Sequence, residues 1–198
     1  MSDLVPDVST PVPDAAADDA ADAAAREFAQ RRGSASAPDG SEVGRALVVV
    51  VGDRAAHGDG DTALGSLIVE LLEEADFHAD ATVVVSGDEV EIRNALNTAV
   101  IGGVDLVISV GGVGVGARDV TPEATEALLD RRLPGIEEAV RSSGLAAGAT
   151  DAGLSRGLAG ISGQTLVVNL ADSRAAVRDG MATVTMLARH VIESISDF

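Results

Sequence analysis

Residues 105–123, DLVISVGGVGVGARDVTPE, read as a buried strand, a glycine-rich loop, an Arg-Asp pair and a Thr-Pro helix start. Glycines at 111, 112, 114 and 116 let a backbone take positive φ or pass close to a ligand where a Cβ would forbid it. A glycine-rich turn between a strand and a helix is the usual way an α/β protein presents backbone N–H groups to phosphate.

Outward from that loop the chain alternates. Residues 46–51 are a continuous apolar run, β-branched from Val48 on, the pattern of a strand covered on both faces. Leu64, Leu67, Ile68, Leu71, Leu72 and Ala75 then follow helical spacing. Further strands are expected at 81–85, 106–110 and 165–170. Further helices are expected at 89–100, 122–132, 134–143 and 173–196, the second and third each opening on proline. On the last helix the buried stripe is expected to run from Val177 to Ile195. Alternating strands and helices predict an α/β fold with a mostly parallel sheet and helices on both faces. Residues 45–198 suffice for one such core.

Residues 1–44 differ. They hold four prolines, nine acidic residues and long alanine runs, without a sustained apolar period. Such a segment buries too little surface to offset its ordering entropy, and a disordered acidic tail is expected.

Composition excludes whole classes of chemistry. The chain of 198 residues has no Cys, so thiolate metal sites and cysteine nucleophiles are out. All 14 basic residues are Arg, and the missing Lys removes Schiff-base chemistry and a P-loop lysine. His57, His78 and His190 show no ligand spacing. A net charge of −18 argues against a broad basic nucleic-acid surface; it describes a solvated acidic exterior, with tail docking on a basic partner as the lesser reading. With neither a membrane-length apolar run nor a signal-peptide pattern, a cytoplasmic protein is expected.

Ligands of open α/β sheets sit beyond the carboxyl ends of the strands. Here those ends carry Asp53 with Arg54 and then Asp61, Asp88, Arg118-Asp119, and Asp172 with Arg174. Asp and Thr also cap helices, Asp88 suiting a helix at Glu89 and Thr121 one at Pro122. Capping accounts for any one of them as well as binding does. For the whole set, joined to the glycine loop, a phosphate site with Asp-held Mg²⁺ is the better account. The loop matches neither a Walker motif nor GxGxxG, and spacing alone goes no further.

The run GGVGVGARDVTPEAT resembles the GGTG…RDVTPEA signature of the molybdopterin adenylyltransferase family, the MogA/MoaB type of molybdenum cofactor biosynthesis protein. VVGDR (50–54), Asp61-Thr62 with Gly65, GDE (87–89), Pro134-Gly135 with Glu137 or Glu138, LSRGLAGI (154–161) and TLVVNL (165–170) agree in the same order. The resemblance implies a three-layer α/β/α homotrimer in which Mg²⁺-ATP donates AMP to the terminal phosphate of molybdopterin. It implies that Asp88 and Asp119 serve Mg²⁺ and substrate positioning. It implies that Gly111, Gly112, Val113, Gly114 and Gly116 hold phosphate, with Arg118, Ser155 and Arg156 reaching substrate and Asp53 and Asp61 lining the pocket.

Two departures stand out. Val113 replaces the signature threonine, and residues 169–174 replace an NLPGSP-like loop, adding Asp172. If the lost hydroxyl held phosphate, its absence would cost about 1–3 kcal/mol. The resemblance therefore leaves a second expectation: a catalytically impaired scaffold that contacts a protein partner through its tail or core surface.

Overall fold

The computed structural model describes residues 43–56 and 63–196. Residues 1–42 of the expected tail, together with His57 and Asp61, lie outside the described residues.

Among the described residues six strands form one sheet: β1 (Gly44–Val51), β2 (Phe77–Val85), β3 (Leu106–Val110), β4 (Arg131–Arg132), β5 (Ala159–Ser162) and β6 (Thr165–Leu170). Their order is β2-β1-β3-β6-β5-β4, with β2, β1, β3 and β6 parallel and β5 and β4 antiparallel to their neighbours. The helices are α1 (Asp53–Ala56), α2 (Ala63–Glu74), α3 (Glu89–Ile101), α4 (Thr121–Glu126), α5 (Pro134–Ala146), α6 (Thr150–Leu154) and α7 (Arg174–Ser196). On one face α2, α7 and α5 pack; on the other, α3 and α4. The expected three-layer α/β/α arrangement with a mostly parallel sheet is what the chain adopts. Among the described residues no helix is long and apolar enough to cross a membrane.

The core follows the pleat. Ala46, Val48 and Val50 join Leu106, Ile108, Leu166 and Val168 beneath Ile68, Leu72, Val177 and Met181. Leu47, Val49, Val107 and Val167 alternate with them and are equally buried, as period-two side-chain placement requires. The α7 stripe ends at Ile192, one turn earlier than expected, and Ile195 is only half-buried.

Three expectations are corrected. The helix expected at 122–132 stops at Glu126, because the chain must reach the sheet edge: Asp130 N–H donates to Ile161 C=O and Leu133 N–H to Ala159 C=O. The two residues between form β4. The strand expected at 81–85 begins at Phe77, with a register shift opposite Ala46 and Leu47 that leaves Asp80 as the extra residue. Asp80 turns its carboxylate to Arg45. The β5–β6 hairpin was not expected at all; it turns at Gly163 (φ 59°) and Gln164.

A buried polar network joins the sheet to the α3/α4 layer. Asn169 on β6 is almost fully buried, yet each of its polar atoms has a partner. Its Oδ1 accepts from Leu158 N–H (3.0 Å), and its Nδ2 donates to Ser109 Oγ (2.8 Å) and Thr125 Oγ1 (3.0 Å). Thr125 Oγ1 donates to Thr121 C=O, and Thr121 Oγ1 donates to Gly111 C=O at 2.9 Å. Thr121 is therefore not the expected N-cap of α4. It is the first helical residue, with its hydroxyl turned back to the glycine loop.

Replacing Asn169 by leucine keeps the branched shape with a larger side chain, leaves Leu158 N–H and Ser109 Oγ without their partner, and removes one of the two bonds of Thr125 Oγ1. Chemical denaturation is expected to show a loss of about 2–4 kcal/mol.

Candidate functional site

In parallel strands the carboxyl ends lie along one edge, and here Val51 pairs with Val85, Val50 with Val110 and Val110 with Leu170. Because β2 lies on one side of β1 and β3 on the other, the β1/β3 boundary is the switch point, where open α/β sheets have their ligand crevice. The glycine loop, Asp53 and residues 86–88 all border it.

The loop is shaped by contacts that tolerate no side chain. Gly111 has φ 101°, and a Cβ there would fall 2.4 Å from Val51 C=O. Gly112 has φ 64°, with Thr121 Oγ1 2.5 Å from the equivalent point. Gly111 N–H donates to Leu170 C=O and Thr121 N–H to Gly112 C=O, so both ends of the turn are anchored. Between them, the N–H groups of Gly112 through Val115 meet no protein acceptor within the described residues. Unpaired main-chain donors are unusual unless they face water or a ligand.

Asp119 closes the loop on itself. Its Oδ2 accepts from Gly116 N–H at 2.7 Å, and lies where a Cβ on Gly114 or Gly116 would stand. Asp88 caps α3 as expected: its Oδ1 accepts from Val90 N–H (2.9 Å) and Glu91 N–H (3.1 Å). Ser86 steadies the same turn, donating through its backbone N–H and Oγ to Glu91 Oε2. Oδ2 of Asp88 and Oδ1 of Asp119 lie outside these bonds. Carboxylate oxygens are the donor type that Mg²⁺ takes, alongside several waters. Among the described residues no group of three or more His, Asp or Glu converges into a metal-binding set.

The two arginines differ in what holds them. Arg118 forks onto Asp53, Nε to Oδ2 at 3.1 Å and Nη2 to Oδ1 at 2.6 Å, and the same Oδ1 accepts from Gly87 N–H at 2.8 Å. The Asp53 bond and charge raise the Arg118 pKa above its ordinary value, and Asp88 and Glu91 push the same way. Arg156 is a strut. Its Nε donates to Gly114 C=O (2.8 Å), its Nη2 to Asp119 C=O, and its Nη1 pairs with Glu123 Oε1 (2.5 Å). That hydrogen bond holds the Glu123 carboxyl below the usual carboxylate range. Arg156 N–H also donates to Val113 C=O at 2.8 Å. Ser155 Oγ turns back to accept from Gly157 N–H at 3.1 Å.

Val113 is 3% exposed and packs with Ala149, Ala152, Ala171 and Ala176. Its side chain lies in an apolar pocket, while the flanking Gly112 and Gly114 are partly exposed. Asp172 is exposed just beyond β6. Of the paired candidates Glu137 and Glu138, Glu137 is buried. It pairs with Arg132 and Arg141 and accepts from Ala159 N–H at 3.3 Å, which ties α5 to β5. Sequence reasoning left unassigned the partner roles of Glu123 and Gly87; only the long-range approach of 33 and 34 residues brings them in.

A family model described as a probable molybdopterin binding domain matches residues 47–190. A solved molybdopterin biosynthesis protein from Mycobacterium abscessus is 68% identical, superposes with a TM-score of 0.76, and covers 78% of this chain and 98% of its own. The molybdopterin adenylyltransferase of Pyrococcus furiosus is 31% identical over 150 residues, covering 74% of this chain and 88% of that protein. Other curated relatives are much longer: the chain spans 15%, 46% and 12% of three of them, including the molybdenum cofactor synthesis protein cinnamon of Drosophila melanogaster. The chain belongs to this molybdopterin-binding family, of the MogA/MoaB type.

Proposed function

We propose that the protein adenylylates molybdopterin in molybdenum cofactor biosynthesis, using Mg²⁺-ATP. The observation that carries this reading is the glycine loop: a row of backbone donors from Gly112 to Val115 at the sheet's switch point, flanked by Asp88, Asp119 and Arg118. In the proposed reaction a terminal phosphate oxygen of molybdopterin attacks the α-phosphorus of ATP. The bond to the β-phosphate breaks, and pyrophosphate leaves. Such transfers need mainly positioning and charge neutralisation. The loop donors hold phosphate oxygens, and Arg156, bound to the carbonyls of Gly114 and Asp119, keeps the loop in shape to do so. Mg²⁺, held by Asp88 and Asp119, would supply charge neutralisation on the phosphates. A cytoplasmic homotrimer serving this pathway completes the proposal.

The burial of Val113 favours the enzyme over an impaired scaffold. A side chain packed among four alanines is not offered to phosphate, so the missing hydroxyl removes no ligand from this geometry. Asp172 favours the scaffold reading, because it adds an exposed negative charge beside the site.

Incubation of the full chain with molybdopterin and Mg²⁺-ATP is expected to yield adenylylated molybdopterin and pyrophosphate; chromatography that finds neither would sink the enzyme reading. Val113→Thr is expected to leave turnover within about threefold. Its buried hydroxyl should lower stability by about 1–2 kcal/mol, read by denaturant titration. Asp88→Asn retains a good helix cap but removes the charge, so melting should hold while turnover falls about a hundredfold. Asp88→Ala should lose turnover and also about 1 kcal/mol of stability.

A further inference from the structure

We propose that Asp53 sets the ligand specificity of this site: its carboxylate occupies the Arg118 fork in place of substrate, so that a doubly charged terminal phosphate displaces it and a singly charged phosphodiester does not. The inference rests on the phosphate-handling role proposed above and names the charge state which that role selects.

The geometry is that of a substrate mimic. Arg118 Nε and Nη2 meet both carboxylate oxygens of Asp53, at 3.1 and 2.6 Å. This is the two-point arrangement by which guanidinium also binds phosphate. Asp53 follows β1, Gly87 follows β2 and Arg118 follows β3, so one carboxylate bridges the ends of three strands across the crevice. Arg118 and Asp53 side chains are 62% and 46% exposed. An ion pair so exposed is weak enough to be exchanged.

What can exchange with it follows from charge. Besides Asp53, the guanidinium lies within electrostatic reach of Asp88 and Glu91, so an incoming anion must be held by Arg118 strongly enough to offset their repulsion. A phosphodiester offers one negative charge, no more than Asp53. Asp53 also has the advantage of being tethered, and a tethered group competes at a high effective concentration. A terminal phosphate offers nearly twice the charge to the guanidinium that it touches directly, which outweighs the doubled repulsion from carboxylates not in contact with it, and a third oxygen. Displacing Asp53 also releases Gly87 N–H, which can donate to the same anion. Selection therefore comes from a resident competitor and needs no clash.

The test uses the full chain, free of divalent cations at low ionic strength, above neutral pH. Methyl phosphate (a dianion there) and dimethyl phosphate (a monoanion) are titrated against it by protein chemical-shift changes. The wild type is expected to prefer methyl phosphate strongly. Asp53→Asn, which keeps the acceptor for Gly87 N–H, should tighten both and shrink that preference by about fivefold. Arg118→Gln should weaken methyl phosphate binding and remove the preference. An unchanged preference in Asp53→Asn, weaker binding of methyl phosphate by it, or no binding of either probe by it overturns the assignment. Product formation with an unchanged preference would defeat only the Asp53 assignment. A changed preference without adenylylated product would defeat only the adenylyl-transfer reading.

Discussion

Asn169 is the interaction on which the rest of the structure depends. Its side chain reaches Ser109 on β3, Thr125 on α4 and the backbone of Leu158 before β5. A buried amide left half-paired would be costly, so the network couples the strand, the helix and the loop to one another. From Thr125 the chain of bonds runs through Thr121 to the carbonyl of Gly111, the first residue of the glycine loop. The loop's starting direction is thus set by a network inside the protein.

The loop's far side is held by charge. Arg156 arrives from the segment before β5 and binds the carbonyls of Gly114 and Asp119 and the carboxylate of Glu123. Asp119 in turn holds Gly116. The Arg side chain so employed cannot also lie fully on a substrate phosphate, which leaves Arg118 as the more available cation. Its present partner is Asp53, whose carboxylate also organises Gly87 at the turn before α3. In a chain with net charge −18, the proposed switch of Arg118 from an internal anion to a substrate anion would give selectivity without making the surface basic.

Much of this was legible in the chain itself. The β-branched run through Val51, the strand at Leu106–Val110 and the helix from Glu89 were placed within a residue or two, because each carries a strong period or an evident cap. The glycines at 111 and 112 were singled out for a need that their φ values bear out. What could not be read was short or non-local. β4 is two residues long, with no pattern of its own, and it exists only because Ile161 and Gly160 accept it as an edge. The stop of α4 at Glu126 has the same cause.

Local sequence determined the α/β alternation, the two backbone turns that only glycine permits, and the residue types at the strand ends, since period, φ and charge are properties of neighbours along the chain. Tertiary structure alone decided which way each side chain faces. It turned Val113 into an alanine-lined pocket, Thr121 back onto Gly111, Arg156 into the loop's support and Arg118 onto Asp53. Those choices depend on contacts across 10 to 65 residues, and no local rule reaches that far.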